Sequence, residues 1–472
     1  MTTLYLFVFA QSHDEFRLPE LSSVAELNGI PYTLPLKPED RDPTRPFMVI
    51  GLGKEDHAQI LARRCILIKF VSVYEFYGQG STYEELHAAN RASRPLWEKF
   101  IPDTSFRFLV TSYNHKIPQS RQREVIESFS YMDFLGPINM KNPDITCAVL
   151  EEYFDTRGTT RSKHQGDGNF RQVFFGRLIE EGTARNLIVK FDVKKRSYFG
   201  NTSMESEISL LMANQTLASP GKIVYDPFMG TGSMAYPTAY FGALVYGSDI
   251  DGRQMRGKDK KSPGVIRAAT QYGVASRIVD LCTFDVTHNP WRCGELFDAI
   301  VTDPPYGVRA GAKRLGRKRE LSDRQRQLCE EHRMNPSSDD QPYIPPTRPY
   351  ELSHLAADLV LLARYLLRPG GRLVFFLPTV TDEYEEVDIY TMLCEGMEVI
   401  ANSLQDFGSW GRRLVTIRKT TSEKYPSPTF EPIHEPKVDH VPAHKDFREK
   451  YFQGFKPKEE RGASKDSSTT PV

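Results

Sequence analysis

The stretch Ile223-Val224-Tyr225-Asp226-Pro227-Phe228-Met229-Gly230-Thr231-Gly232-Ser233 decides how the second half of this chain folds. A short apolar strand runs into an acidic residue and a glycine-bearing turn, and a helical stretch follows. Gly230 and Gly232 let the backbone turn tightly and approach a ligand where a side chain would clash. The carboxyl end of a strand at such a turn is where doubly wound sheets bind nucleotides. A loop built to hold a phosphate would carry Gly-Lys-Ser/Thr, which this one lacks. The next apolar strand, Leu244-Val245-Tyr246, ends in Gly247-Ser248-Asp249-Ile250-Asp251. An acidic side chain there accepts hydrogen bonds from both ribose hydroxyls and disfavours a phosphate. Asp249, nearer the strand end, is the expected ribose contact, and Asp251 is the expected surface or helix-cap residue. Thr283-Phe284-Asp285 then offers a carboxylate to which an adenine amino group can donate. A glycine pair alone reads as a plain turn. With acidic residues at successive strand ends, it reads as a site for an adenosine cofactor without phosphates.

Working outward, the apolar positions Met204, Ile208, Leu211, Met212 and Leu217 recur at helical spacing. Phe297 to Val301 and Leu373 to Leu377 are further short apolar strands. Gly264 to Tyr272 and Leu352 to Leu367 are helical stretches between them, and Leu414 to Ile417 closes the series as a last strand. Alternating β and α predicts a parallel sheet with helices on both faces, an α/β domain over 196–420. The first half has another rhythm. Leu4 to Phe9, Phe47 to Ile50, Phe106 to Val110 and Val173 to Ile179 read as strands, and Asp56 to Arg64 and Gln122 to Phe134 as helices. That mixture is α+β. A chain of 472 residues exceeds one ordinary core, so two or three domains are expected. Residues 421–472 carry seven prolines and few apolar runs, and are expected to be disordered. The segment 307–349, rich in Arg, Lys and Ser, is too long for an ordinary connection.

Composition narrows the classes. Lysine plus arginine equals aspartate plus glutamate at 61 each, so any nucleic-acid contact must come from local patches. Six scattered cysteines without a CxxC support neither a zinc knuckle nor a disulfide framework, and no metal site is expected. No apolar run reaches membrane-spanning length, and the N-terminus lacks the marks of a signal peptide. A cytoplasmic protein is expected.

The apolar strand Asp298-Ala299-Ile300-Val301-Thr302 is followed at once by Asp303-Pro304-Pro305-Tyr306-Gly307. Two prolines stiffen the turn and remove two donors. It presents a carboxylate, the Pro304 carbonyl and an aromatic face. An exocyclic amine on a heterocycle is a poor nucleophile because its lone pair is delocalised. Accepting its two N–H bonds at Asp303 and the Pro304 carbonyl draws the lone pair toward an incoming methyl group. Tyr306 can stack on the base and hold it in line. The bland alternative is a proline-stiffened turn with a conveniently placed tyrosine. Its position after a hydrophobic strand, downstream of a cofactor loop, favours the functional reading.

This turn resembles the motif (Asn/Asp/Ser)-Pro-Pro-(Tyr/Phe) of amino-methyltransferases. More narrowly, Phe199-Gly200-Asn201-Thr202-Ser203-Met204, the Asp226 to Ser233 loop, Gly247 to Asp251 and Thr302 to Arg309 resemble the catalytic-subunit family of eukaryotic tRNA (guanosine-10 N2) methyltransferases. Met140-Lys141-Asn142-Pro143-Asp144-Ile145 looks like the core of a THUMP domain, an RNA-binding module. The resemblance covers most of residues 1–420. It implies a ferredoxin-like piece over 1–70, a THUMP domain over 71–195 and a Rossmann-like methyltransferase. It also implies S-adenosylmethionine, tRNA as substrate, and a small zinc-binding activator as heterodimer partner. The family's cofactor contacts fall on Asp226, Pro227, Phe228, Gly230, Thr231, Gly232, Ser233 and Asp249, with Asp285 at adenine. The target-base clamp falls on Asp303, Pro304, Pro305 and Tyr306.

Basic residues after the clamp, Arg309, Lys313 and Arg314 among them, are expected to meet phosphates near the entering base. Lys163, Arg171, Lys194, Lys195 and Arg196 are further candidates for an RNA surface. Two rivals stand beside this reading. One is an amino-methyltransferase acting on adenine or guanine of another RNA or of DNA. The other is a non-catalytic tRNA-binding subunit.

Overall fold

A computed structural model describes residues 2–37, 41–42, 44–154, 170–257, 264–307, 311–316, 322–324, 326–327, 330, 346–430 and 441–454, without the side chains of 70–72. The chain divides into two compact units, 1–186 and 187–472.

The first unit is built on β1 (Thr3–Phe9), β2 (Tyr32–Thr33), β3 (Phe47–Leu52), β4 (Ile68–Gly80), β5 (Phe106–Tyr113), β6 (Ile145–Tyr153) and β7 (Phe170–Glu181). They form one seven-stranded sheet in the order β2-β3-β1-β4-β7-β6-β5. The expected boundary at residue 70 therefore falls inside β4. That strand pairs with β1 on one side and β7 on the other, so the two expected pieces share a sheet. The expected helices are present as Glu55–Arg64 and Gln119–Ser128.

The second unit holds β8 (Ile223–Asp226), β9 (Leu244–Asp249), β10 (Ile278–Thr283), β11 (Phe297–Thr302), β12 (Lys313–Leu315), β13 (Thr347–Pro349), β14 (Leu367–Val380), β15 (Met397–Asp406) and β16 (Trp410–Lys419). Its main sheet runs β10-β9-β8-β11-β14-β16-β15. The pairs from β10 through β14 are parallel, as expected. β16 is not a parallel last strand. It lies antiparallel between β14 and β15. The order reverses between β8 and β11, and this crevice at the strand carboxyl ends is the switch point of a doubly wound sheet. β14 is buried from Gly371 to Val380, the continuous burial expected of a strand covered on both faces. The helix Leu352–Leu366 packs its leucines into the same core.

Both irregular segments contain regular structure among their described residues. Within 307–349, β12 and β13 pair as an antiparallel ribbon. Of the supposedly disordered tail, 441–454 is laid on the second unit and ends in the helix Phe447–Gln453, with Ala443, His444 and Phe447 buried. Proline content hid this because the core that receives these side chains comes from residues far away in sequence.

Candidate active site

β8 delivers Asp226 to the crevice with no exposed surface. Its Oδ1 accepts hydrogen bonds from the Phe228 amide (3.1 Å) and the Thr302 hydroxyl (2.8 Å). Thr302 ends β11 and precedes Asp303, so one carboxyl oxygen ties the glycine loop to the proline turn. Asp226 Oδ2 is buried without a hydrogen-bond partner. Burial first, then the nearby Asp249 and Asp303 charges, pushes its pKa up to about 7 against the two hydrogen bonds.

The loop itself needs its glycines. Gly230 and Gly232 have φ of +49° and +81°. A Cβ at Gly232 would stand 2.8 Å from Tyr236 Oη and 3.1 Å from Val265 Cγ1. Asp249 holds the loop against β9. Its Oδ2 accepts from the Gly230 amide (2.9 Å) and its Oδ1 from the Asp251 amide (2.8 Å). Burial raises its pKa despite these bonds. Each oxygen keeps a second lone pair for a ribose hydroxyl. Asp251 caps the helix Gly252–Arg256 and pairs with Arg253 at 2.7 Å, the role expected for it.

A wall that sequence reasoning passed over closes the loop's other side. Arg196, taken above as a surface candidate for RNA, is only 3 % exposed. Its Nη1 donates to Ser233 Oγ (3.0 Å), and its guanidinium lies 4.9 Å from the Tyr236 ring centroid. Ser233 Oγ also accepts from the Met204 amide (3.0 Å), and Ser203 and Thr231 hydroxyls meet at 2.8 Å. The resemblance in Phe199 to Met204 was the one signal for this wall.

Asp285, expected at the adenine, is more enclosed than Asp249. It is 1 % exposed, and its oxygens accept from the Thr287 amide and from the Leu315 amide of β12. An adenine amine can use it only by sharing those acceptors or by moving β12 aside. The residues otherwise fit an adenosine cofactor. A buried carboxyl oxygen lacks a donor, positive-φ glycines open the backbone, and Asp249 retains acceptor capacity.

The clamp lies at the end of β11. Pro304 is buried, while Asp303, Pro305 and Tyr306 are half-buried. Gly307, with φ +92°, lets the chain leave the turn.

The basic candidates scatter. Arg309 and Lys163 lie outside the described residues. Lys313 and Lys195 are exposed. Arg314 places its guanidinium 5.3 Å from the Tyr350 ring centroid, and Arg171 is drawn to Asp42 (3.4 Å) and Glu152 (3.8 Å). Internal partners thus engage Arg314 and Arg171, as they do Arg196.

Residues 3–184 match the Tmrp11 THUMP N-terminal domain, and residues 194–332 match an RMKL-like methyltransferase domain. Fold and site together define a THUMP-bearing methyltransferase with a Rossmann-like catalytic domain. The chain is 34% identical to the tRNA (guanine(10)-N(2))-methyltransferase of Schizosaccharomyces pombe, over 95% of this chain and 96% of that protein. It is 35% identical to the Saccharomyces cerevisiae enzyme of the same name, over 96% of this chain and 99% of that one. The human protein is 34% identical, over 95% of both chains. The chain belongs to the tRNA (guanine(10)-N(2))-methyltransferase family.

Proposed function

We propose that this chain transfers one methyl group from S-adenosylmethionine to the 2-amino group of guanosine 10 in tRNA. The observation that carries the reading is the Thr302–Asp226 hydrogen bond, which joins a cofactor-type loop and an amine-accepting turn at one switch point. The family's relatives, named for this reaction and matched over almost their whole length, support the choice of base.

S-adenosylmethionine supplies an electrophilic methyl group when bound. Asp226 to Ser233, Asp249 and, in part, Asp285 would hold it. Tyr306 stacks on the guanine and fixes its plane. Asp303 and the Pro304 carbonyl accept the two N–H bonds of the amine, so its lone pair faces the donor. Forming the N–C bond would break the donor's C–S bond and leave the amine positively charged, a charge that the Asp303 carboxylate offsets before it accepts the amine's surplus proton. Orientation and this offset supply the rate, with no covalent step on the protein.

The N-terminal unit grips the tRNA. A small zinc-binding activator completes the cytoplasmic enzyme as heterodimer partner. Edge strand β10, where Val279 is 43 % exposed, gives such a partner a strand to pair with.

The test is methyl transfer from labelled donor to total tRNA, with and without the activator, followed by nucleoside digestion. Label in N2-methylguanosine is expected, with activity falling by at least about a thousandfold in Asp303→Ala. Label in N6-methyladenosine, or undiminished transfer by Asp303→Ala, would overturn the assignment. Equal activity without the small protein would remove it as a requirement.

A further inference from the structure

Tyr306 can hold a base in line only if its ring plane is fixed. A tyrosine χ2 is broad, so neighbours have to fix it. Among its neighbours is Phe447, whose ring meets Tyr306 edge to face at 6.3 Å and 80°. Phe447 is itself 1 % exposed, packed against Trp410 at 5.6 Å and Tyr451 at 6.2 Å. The next residue touches the same turn. A Cβ placed on Gly307 would lie 2.9–3.1 Å from the Arg448 side chain.

The segment bearing these residues is pinned to the sheet. The Val380 amide donates to the Ala443 carbonyl (3.4 Å), and the Ala443 amide donates to Asp388 Oδ2 (3.0 Å). Lys450 pairs with Glu383 at 2.6 Å, both side chains being largely covered. A ring held on several sides transmits its orientation to the tyrosine it touches.

We propose that the C-terminal helix Phe447–Gln453 forms the back of the acceptor-base site, with Phe447 as a positioning residue that sets the Tyr306 ring plane. This rests on Tyr306 being the face on which the base stacks. Phe447 acts through Tyr306 and touches neither base nor methyl donor, so its loss slows the chemical step without weakening binding.

The experiment compares Phe447→Leu, Phe447→Tyr, Tyr306→Ala and the double variant Tyr306→Ala/Phe447→Leu in the full-length chain with its activator. Phe447→Leu is expected to lower kcat about tenfold, with KM for tRNA and affinity for S-adenosylmethionine within about twofold. Phe447→Tyr, which restores the ring, recovers most of kcat. In the Tyr306→Ala background, Phe447→Leu costs nothing further, because the route through Tyr306 is already cut. Additive losses in the double variant would overturn the proposal. So would a fall of kcat, donor affinity and Tm together that Phe447→Tyr does not rescue. Asp303→Ala, measured alongside, separates the two levels. If it stays active, the clamp itself is misassigned. If it is dead while Phe447→Leu is normal, only the helix proposal fails.

Discussion

At the scale of single residues, Asp226 carries the clearest consequence of burial. The ordinary aspartate pKa is 3.8, and burial in the folded chain raises that of Asp226 to about 7. Between those values the folded state holds a proton that the unfolded state has lost. The stability this contributes is complete below about pH 4 and is lost as pH rises through 7. Asp226→Asn keeps an oxygen to accept from Phe228 and Thr302 and removes the titration. Its Tm, relative to wild type and without methyl donor, is expected to improve by roughly 5–10 °C between about pH 5 and pH 8, the shift that ~2–3 kcal/mol gives a domain of this size. A thermal-shift series in which the difference stays flat would show that the carboxyl does not titrate there. This ionisation was invisible in the sequence. The motif named Asp226, but only the Thr302 hydroxyl from β11 and the covering residues show that one of its oxygens is left without a donor.

At the scale of elements, the C-terminal segment depends on His444. The ring is 1 % exposed, and burial pushes its pKa down to about 4, with Lys450 acting in the same direction and Asp388 opposing. In the unfolded chain the imidazole titrates near 6.5. The folded pKa is depressed, so the stability is present above about pH 6.5 and is lost as pH falls toward 4. Amide hydrogen exchange across 443–453 is expected to quicken on acidification from about pH 7 to pH 5, once corrected for intrinsic exchange. His444→Gln should flatten that dependence. Protection that is unchanged in wild type over this range would rule His444 out as the determinant. Elements also show where reading failed. All nine residues of β6 are buried, Glu151 and Glu152 included, so it lacks the alternation that marks a strand. Those charges are met by Tyr153 on the same strand and by Tyr83 and Arg45, two partners far away in sequence that no local pattern reveals. β10 and β15 were missed for a related reason, since β10 at the sheet edge exposes polar residues where a buried strand would be apolar.

At the scale of the whole molecule, two units with separate sheets and separate cores predict separable folding. Residues 187–472 expressed alone are expected to melt cooperatively in calorimetry and to bind S-adenosylmethionine within a few-fold of the full chain. With the proposed tRNA grip in the first unit, affinity for tRNA should fall by about a hundredfold or more. Full tRNA affinity in that fragment would place the RNA grip in the second unit. Equal numbers of acidic and basic residues leave no general attraction for RNA, so the grip has to be local.

What the sequence determined by itself was the contiguous chemistry. A strand running into Asp226 to Ser233, and another running into Asp303 to Tyr306, are local patterns whose backbone demands are met within a few residues. The α/β alternation around them followed from periodicity. Tertiary structure alone decided the rest. It joined the first two expected domains into one sheet through β4, turned β16 antiparallel, withdrew Arg196 to the glycine loop and set Phe447 behind Tyr306. The physical reason is the same in each case. A side chain's burial, partner and charge state depend on atoms brought near by folding, and a residue's own neighbours in the chain carry no record of them.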